Sequence, residues 1–315
     1  MYIQCCALII FGFFSTSQAA SQVQPLAENL SQFINVRDFT AYQDEAYFTA
    51  QDVSEQHSVI VKARFDKNQW RHFELMPFSG RYRDIEPFLS SNGLRLYFAS
   101  NRPLAGTEQS SHYDIWYVQR DSQKSKWSAP IHLPGPVNTE HNEFYPAVSD
   151  NNNLYFTSDR NKETRKDDIY MSRWVDKQYQ PAQALSDNIN SPGYEFNAYV
   201  AADESFLIYT VYAADDGLGS GDLYISYRQS DGGFSPRVNL GPTINSDKMD
   251  YCPFYDADNG RLVWTSKRTA MGDADFADLS SFVNATQQYE NGQSRLYQTT
   301  FEPQQNNAQV DIITK

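Results

Sequence analysis

Leu96-Tyr97-Phe98-Ala99-Ser100-Asn101-Arg102 returns along the chain as Leu154-Tyr155-Phe156-Thr157-Ser158-Asp159-Arg160, as Leu207-Ile208-Tyr209-Thr210-Val211 and as Leu262-Val263-Trp264-Thr265-Ser266-Lys267-Arg268. A weaker copy stands at Ala46-Tyr47-Phe48-Thr49-Ala50. From Phe98 to Phe156, Tyr209 and Trp264 the steps are 58, 53 and 55 residues, and a recurring unit of that size marks an array of supersecondary units. Each string is rich in aromatic and β-branched residues and follows a turn, as in Pro87-Phe88-Leu89-Ser90-Ser91-Asn92-Gly93 and Pro253-Phe254-Tyr255-Asp256-Ala257-Asp258-Asn259-Gly260. Asn-Gly between two β-rich runs is a hairpin signal. A third apolar run follows a polar loop: Asp114-Ile115-Trp116-Tyr117-Val118, Asp168-Ile169-Tyr170-Met171-Ser172, Asp222-Leu223-Tyr224-Ile225-Ser226 and Arg295-Leu296-Tyr297-Gln298-Thr299. A fourth opens on an aromatic and closes on Asn, from Trp127 to Asn138, Tyr179 to Asn190 and Phe234 to Asn245.

Four antiparallel strands per unit, with no helical segment between units, describe a propeller blade. The alternative, an open solenoid, leaves sheet edges that a closed ring protects. The Pro-Xaa-Xaa-Ser-Xaa-Asn-Gly/Asp turn, the Leu-Tyr-Phe-Xaa-Ser-Xaa-Arg string and the Asp-Ile-Tyr strand together resemble the WD40-like (TolB-type) β-propeller repeat of bacterial envelope proteins. The resemblance covers about residues 38–300, sharply in units two, three and five, loosely in four and poorly in one. It implies an all-β ring and envelope proteins or peptidoglycan-associated lipoproteins as partners, but it names no activity, because that repeat serves many functions. The last unit lacks an aromatic-to-Asn fourth strand, whereas the segment from Gln24 to Asn35 matches the end of one, with Leu30, Ile34 and Asn35 set against Leu240, Ile244 and Asn245. The expectation is therefore a five-bladed β-propeller over 24–302, sealed by its N-terminal segment. Six blades, the alternative, need a further unit.

Composition agrees with short strands and tight turns: 21 Tyr, 20 Phe and 5 Trp in 315 residues. The 39 acidic and 26 basic side chains leave a net charge of −13, which repels a phosphate backbone and argues against nucleic acid. Residues 1–19 read as a cleaved signal peptide. The apolar run from Ala7 to Phe14 is too short to span a bilayer, and Ser17 and Ala19 offer small residues for cleavage. The n-region carries no Lys or Arg, so a buried N-terminal strand is the competing reading. Cleavage removes Cys5 and Cys6 and leaves Cys252, with no intramolecular disulfide and no cysteine metal site. The expected location is periplasmic or secreted, with 303–315 as a flexible tail.

Candidate chemistry centres on acids placed three residues before the Pro or Ala that opens each first strand: Asp38, Asp84, Glu143, Glu195 and Asp250. First strands line the channel of a propeller, so these carboxylates are expected to ring one mouth. The position between acid and strand varies, as Thr40, Glu86, Tyr145, Asn197 and Cys252, which is what a ligand pocket requires and also what an unconstrained channel shows. The functional reading is a site for a cation or a polyhydroxylated or amine ligand. The architectural reading pairs the acids with backbone N–H groups or with Arg102, Arg160 and Arg268 of the repeat strings, units one and four having no such Arg. Glu86 with Asp84, Glu143 and Glu195 offers the carboxyl pair of glycoside hydrolysis. The main functional expectation is a non-enzymatic binding or scaffolding module for an envelope protein or a small polar or carbohydrate ligand; the alternative is a glycoside hydrolase or lyase. No cofactor is expected; the loop from Asp273 to Asp278 keeps calcium open but lacks the mid-loop Gly and final Glu of a calcium loop. The five histidines show no metal spacing. The insertion 269–294, with Phe276, Leu279, Phe282, Val283 and Tyr289, reads as a lid or partner-docking loop, the alternative being a plain excursion.

Overall fold

A computed structural model describes residues 22–104, 106, 112–161, 163, 166–272 and 274–303. The expected signal peptide, 1–19, and all but the first residue of the expected tail, 303–315, fall outside the described residues. Five four-stranded antiparallel sheets follow one another along the chain. Blade 1 holds β2 (Asn35–Tyr42), β3 (Glu45–Gln51), β4 (Ser58–Asp66) and β5 (Gln69–Leu75), and blade 2 holds β6 (Asp84–Leu89), β7 (Arg95–Ser100), β8 (Asp114–Gln119) and β9 (Ile131–His132). Blade 3 comprises β10 (Glu143–Val148), β11 (Leu154–Ser158), β12 (Asp168–Ser172) and β15 (Gln183–Ala184), with a small hairpin, β13 (Trp174–Val175) and β14 (Gln178–Tyr179), before its last strand. Blade 4 is β16 (Tyr194–Val200), β17 (Phe206–Tyr212), β18 (Gly221–Tyr227) and β19 (Val238–Asn239). Blade 5 is β20 (Asp250–Asp256), β21 (Arg261–Ser266), β22 (Arg295–Thr300) and, as its outermost strand, β1 (Gln24–Pro25).

The innermost strands β2, β6, β10, β16 and β20 each pack on the next, and β20 packs back on β2, which closes the ring at five blades. The recurring strings are second strands, buried on both faces between neighbouring blades. That is why they read as continuous apolar runs rather than alternating ones. Phe48, Phe98, Phe156, Tyr209 and Trp264, one per blade, are at most 1% exposed. The β6–β7 turn needs its glycine: Gly93 sits at φ +69°, and a Cβ there falls 2.5 Å from the Tyr42 ring.

Fourth strands are shorter than their sequence signature suggests, because only two residues pair in blades 2 to 5. The closing Asn does its work by side chain. Asn138, Asn190 and Asn245 each accept from the backbone N–H, and donate to the backbone C=O, of Ile115, Ile169 and Leu223 at 2.8–3.1 Å. Closure by the N-terminal segment is present in a different register from the expected match of Leu30 and Asn35. Leu26 N–H donates to Leu296 O as Leu240 does to Leu223 O, so Leu26 is the counterpart of Leu240. A 3-10 turn, Glu28–Gln32, lies between it and Asn35 and buries Leu30 in the core. The 269–294 insertion carries one helix, α1 (Leu279–Thr286), started by an Asp278–Ser281 capping box; none of its residues is buried.

Candidate functional site at the channel mouth

Every innermost strand breaks register once. In β6, Ile85 pairs with Ala99 and Phe88 with Tyr97, leaving Glu86 and Pro87 opposite a single residue. The same bulge holds Asp38 and Phe39, Tyr145 and Pro146, Asn197 and Ala198, and Cys252 and Pro253. The first bulge residues, Asp38, Glu86, Tyr145, Asn197 and Cys252, all have left-handed backbone, φ 45–61°. This region is costly for non-glycine residues, and its recurrence in all five blades makes it part of the architecture.

This register corrects the sequence alignment in blade 1. Asp38 is the counterpart of Glu86, not of Asp84, and Thr40 is not a bulge residue. The expected spacing used Ala41 as the strand-opening residue, but Phe39 stands where other blades have Pro or Ala. The position of Asp84, Glu143, Glu195 and Asp250 is filled in blade 1 by Val36.

Those four acids do not ring the mouth as open carboxylates; they are buried between strands, with both oxygens of Glu143, Glu195 and Asp250 engaged and one oxygen of Asp84. Asp84 accepts from Ser100 Oγ at 2.7 Å and pairs with Arg102. Glu143 accepts from Thr139 N and Oγ1 at 3.0 and 2.7 Å, from Ser158 Oγ at 3.2 Å and from Arg160 at 2.9 Å. Asp250 receives Ser246 N and Oγ, Trp264 Nε1 and, at 2.9 Å, Arg268. Glu195, whose repeat string has no Arg, receives Ser191 N and Oγ and is paired at 3.0 Å by Arg237, 42 residues away.

One residue further along each innermost strand, side chains turn to the opposite side. Arg37, Ile85, Phe144, Phe196 and Tyr251, one from each blade, line a depression of about 350 Å³ at the channel mouth. Tyr113 and Asp167, each immediately before a third strand, Arg83, Thr157 and Met249 complete its wall, while Glu86 and Asn197 lie at its floor. The mouth is thus a largely apolar and aromatic collar with two arginines, Arg37 and Arg83, in it. None of these wall residues was singled out from sequence, although Phe144, Phe196 and Tyr251 directly follow the recurring acids.

Arg37 organises the floor. Its Nε donates to Asp38 Oδ1 at 2.8 Å and its Nη2 to Glu86 Oε1 at 2.9 Å, and its guanidinium lies 5.2 Å from the Tyr251 ring centre. Glu86 Oε2 accepts from the backbone N–H of Tyr145 at 2.8 Å. The reason is a substitution within the repeat. The bulge amides of Asp38, Glu86 and Asn197 donate to Thr265, Thr49 and Thr157 of the preceding blade, at 3.0–3.3 Å. For Tyr145 that threonine position is Ala99, and Glu86 supplies the missing acceptor.

Burial drives the Glu86 carboxyl up to about 7; Arg37 opposes the rise and Asp38 adds to it. Asp167 is raised to about 6 by burial and by the nearby carboxylates of Asp159 and Asp168. Burial likewise pushes up the Tyr145 phenol and the Cys252 thiol, which disfavours a thiolate there. Two buried polar atoms of the wall, Arg83 Nε and Tyr113 Oη, have no hydrogen-bond partner. Among the described residues no cluster of three or more His, Cys, Asp or Glu is arranged to hold a metal ion. Asp278 of the segment that left calcium open caps α1, and Asp273 lies outside the described residues.

No family model matches the sequence, and no curated protein matches it. Solved structures do match in fold. A GH62 hydrolase in complex with xylotriose has TM-score 0.51 at 12% identity, covering 91% of this chain and 98% of that one. An α-L-arabinofuranosidase from Lactobacillus brevis has TM-score 0.51 at 13% identity, with the same coverage. TolB from Acinetobacter baumannii has TM-score 0.44 at 10% identity, covering 81% of this chain and 51% of that one. At such identities the likeness is one of fold.

Proposed function

We propose that the protein is a carbohydrate-active five-bladed propeller of the bacterial envelope, with the channel-mouth depression as its sugar site. The observation that carries the reading is that one aromatic-walled depression is lined by two carboxyls, Glu86 and Asp167, both pushed above their ordinary range by burial. Tyr113, Phe144, Phe196 and Tyr251 offer flat apolar faces for the C–H face of a sugar ring, and Arg37, Asn197, Thr157 and Asp167 offer hydrogen bonds at its edge. The volume is that of a small-molecule site. A carboxyl still protonated near neutral pH is what protonation of a glycosidic oxygen requires, with a second carboxyl to activate water or stabilise the cation. In this reading Glu86 is the proton donor and half-buried Asp167 the second carboxyl. Sugar-cleaving enzymes among proteins of the same fold are consistent with it.

A second reading, a binding module that holds a glycan or an envelope partner without turnover, is favoured by one observation. Glu86 is gripped on both oxygens, by Arg37 and by the Tyr145 amide, and is only 5% exposed.

The test is calorimetric titration of the mature protein with arabino-, xylo- and galacturono-oligosaccharides, followed by a reducing-end assay on whichever bind. Binding with turnover that is lost in Glu86→Gln and Asp167→Asn supports the enzyme. Binding without turnover moves the assignment to the second reading, and no binding across the panel refutes the sugar site.

A further inference from the structure

A second depression, in the cleft between blades 1 and 2, adjoins the channel mouth. It is lined by His57, Gly80, Arg81, Tyr82, Arg83 and Pro103, among others, and no Asp or Glu is in its wall. Arg83 lines both depressions and so stands between them. In a chain of net charge −13, a cleft with two arginines and no lining carboxylate is a local reversal of sign.

The arginines are not consumed by structure. Among the described residues, neither Arg81 nor Arg83 forms an ion pair, whereas the repeat arginines Arg102, Arg160 and Arg268 all do. Arg83 spends Nη2 on the backbone carbonyl of Glu55 at 2.9 Å and rests its guanidinium 5.6 Å from the Tyr113 ring centre. The Glu55 carboxylate itself is turned to Lys267, at 2.9 Å. Arg83 Nε is buried without a partner, and so is Tyr113 Oη beside it. Buried unpaired donors in a folded chain call for an explanation, and a ligand that supplies the acceptor is one. Arg81 lies 5.3 Å from the Tyr82 ring centre, and both residues line the same cleft. The acids near this region are Asp52, which holds exposed His57 at 3.2 Å, and, in the channel mouth, Glu86 and Asp167.

We propose that the trough running from the channel mouth over Arg83 into the blade 1–blade 2 cleft binds an acidic oligosaccharide, with a uronate carboxylate seated on Arg83 and Arg81. The proposal rests on the sugar-site reading above and specifies its substrate class. A planar guanidinium matches a carboxylate with two parallel hydrogen bonds, and Tyr82 and Tyr113 supply the ring faces on either side. Neutral sugars are not recognised by this pair, because they leave the arginines without a charged acceptor.

The experiment titrates the mature protein with trigalacturonic acid and with the same trimer methyl-esterified at its carboxyls, which keeps the shape and removes the charge. The wild type is expected to bind the acid on the order of tenfold to a hundredfold more tightly, as befits a charge-assisted hydrogen bond. The acid-to-ester ratio should fall toward one in Arg83→Gln and fall partly in Arg81→Gln and in Arg83→Lys, which keeps the charge but loses the planar fork, with melting midpoints confirming that each variant is folded. Equal affinity for acid and ester in the wild type, or an unchanged ratio in Arg83→Gln, overturns the proposal. If neutral oligosaccharides bind and charge makes no difference, only the acidic specificity fails. If no sugar of either kind binds, the sugar site and the proposal fail together.

Discussion

Replacing Glu86 by Gln tests whether the channel floor holds a protonated acid. Burial lifts the Glu86 carboxyl from its ordinary 4.5 to about 7. At 1.36 kcal/mol per unit, that displacement corresponds to about 3 kcal/mol of pH-dependent stability. The sign follows from proton binding. Between about pH 4.5 and 7 the folded chain holds this proton and the unfolded chain does not, so the stability that Glu86 contributes is full below pH 4.5 and is lost as pH rises toward 7. The amide of the variant has no proton to lose. The stability of Glu86→Gln relative to wild type should therefore improve by about 3 kcal/mol between pH 4.5 and 7.5, whatever its offset at low pH. An unfolding entropy near 2.1 cal/mol/K per residue, over the roughly 280 residues of the ring, converts this to a relative shift of about 5 °C in melting midpoint. Scanning calorimetry of both proteins at one-unit pH intervals reads it directly, and the difference cancels the titration of every group the two proteins share. A flat difference across that range would mean that Arg37 keeps Glu86 ionised throughout. That result would sink its role as a proton donor and leave the binding-only reading.

Arg160→Met leaves the buried Glu143 carboxylate without its cation and should cost about 3–5 kcal/mol, read as a lower denaturant midpoint with an unchanged slope. Adding Glu143→Gln to it should recover part of that loss, and no recovery would place the cost elsewhere. Glu86→Ala strands the Tyr145 amide and should cost about 1–3 kcal/mol for that group. Ala99→Thr restores the acceptor that other blades use, so the double variant should regain stability; failure to do so would contradict the assigned register. Leu30→Ala, in the segment that links the closing strand to blade 1, should cost about 2–4 kcal/mol by removing a fully buried side chain. An unaffected melt would show that the N-terminal segment does not secure the ring.

Much of the fold was legible because its signals are local. A second strand buried on both faces writes itself as Leu-Tyr-Phe wherever it recurs, and hairpins announce themselves through Asn-Gly or Asp-rich turns. Even closure could be read, since the last unit lacks a fourth strand and the N-terminal segment supplies one. The partners of the acids were half legible: Arg102, Arg160 and Arg268 belong to the repeat strings, whereas Arg237 reaches Glu195 from the segment just before β19. What sequence alone could not place is the direction in which innermost side chains point. A strand has a period of two, so a single bulge residue reverses every later side chain. One misplaced strand opening in blade 1 therefore moved Asp38 out of its true company with Glu86, Tyr145, Asn197 and Cys252. Arg37 was hidden for the same reason, and the collar of Ile85, Phe144, Phe196 and Tyr251 reads in sequence as ordinary strand filling. The strings of the repeat determined a five-bladed ring because backbone pairing and burial act on neighbours along the chain. Only the closed ring decided the site, because Arg37, Glu86, Tyr145, Asp167 and Asn197 come from four blades and meet where the central axis brings them together.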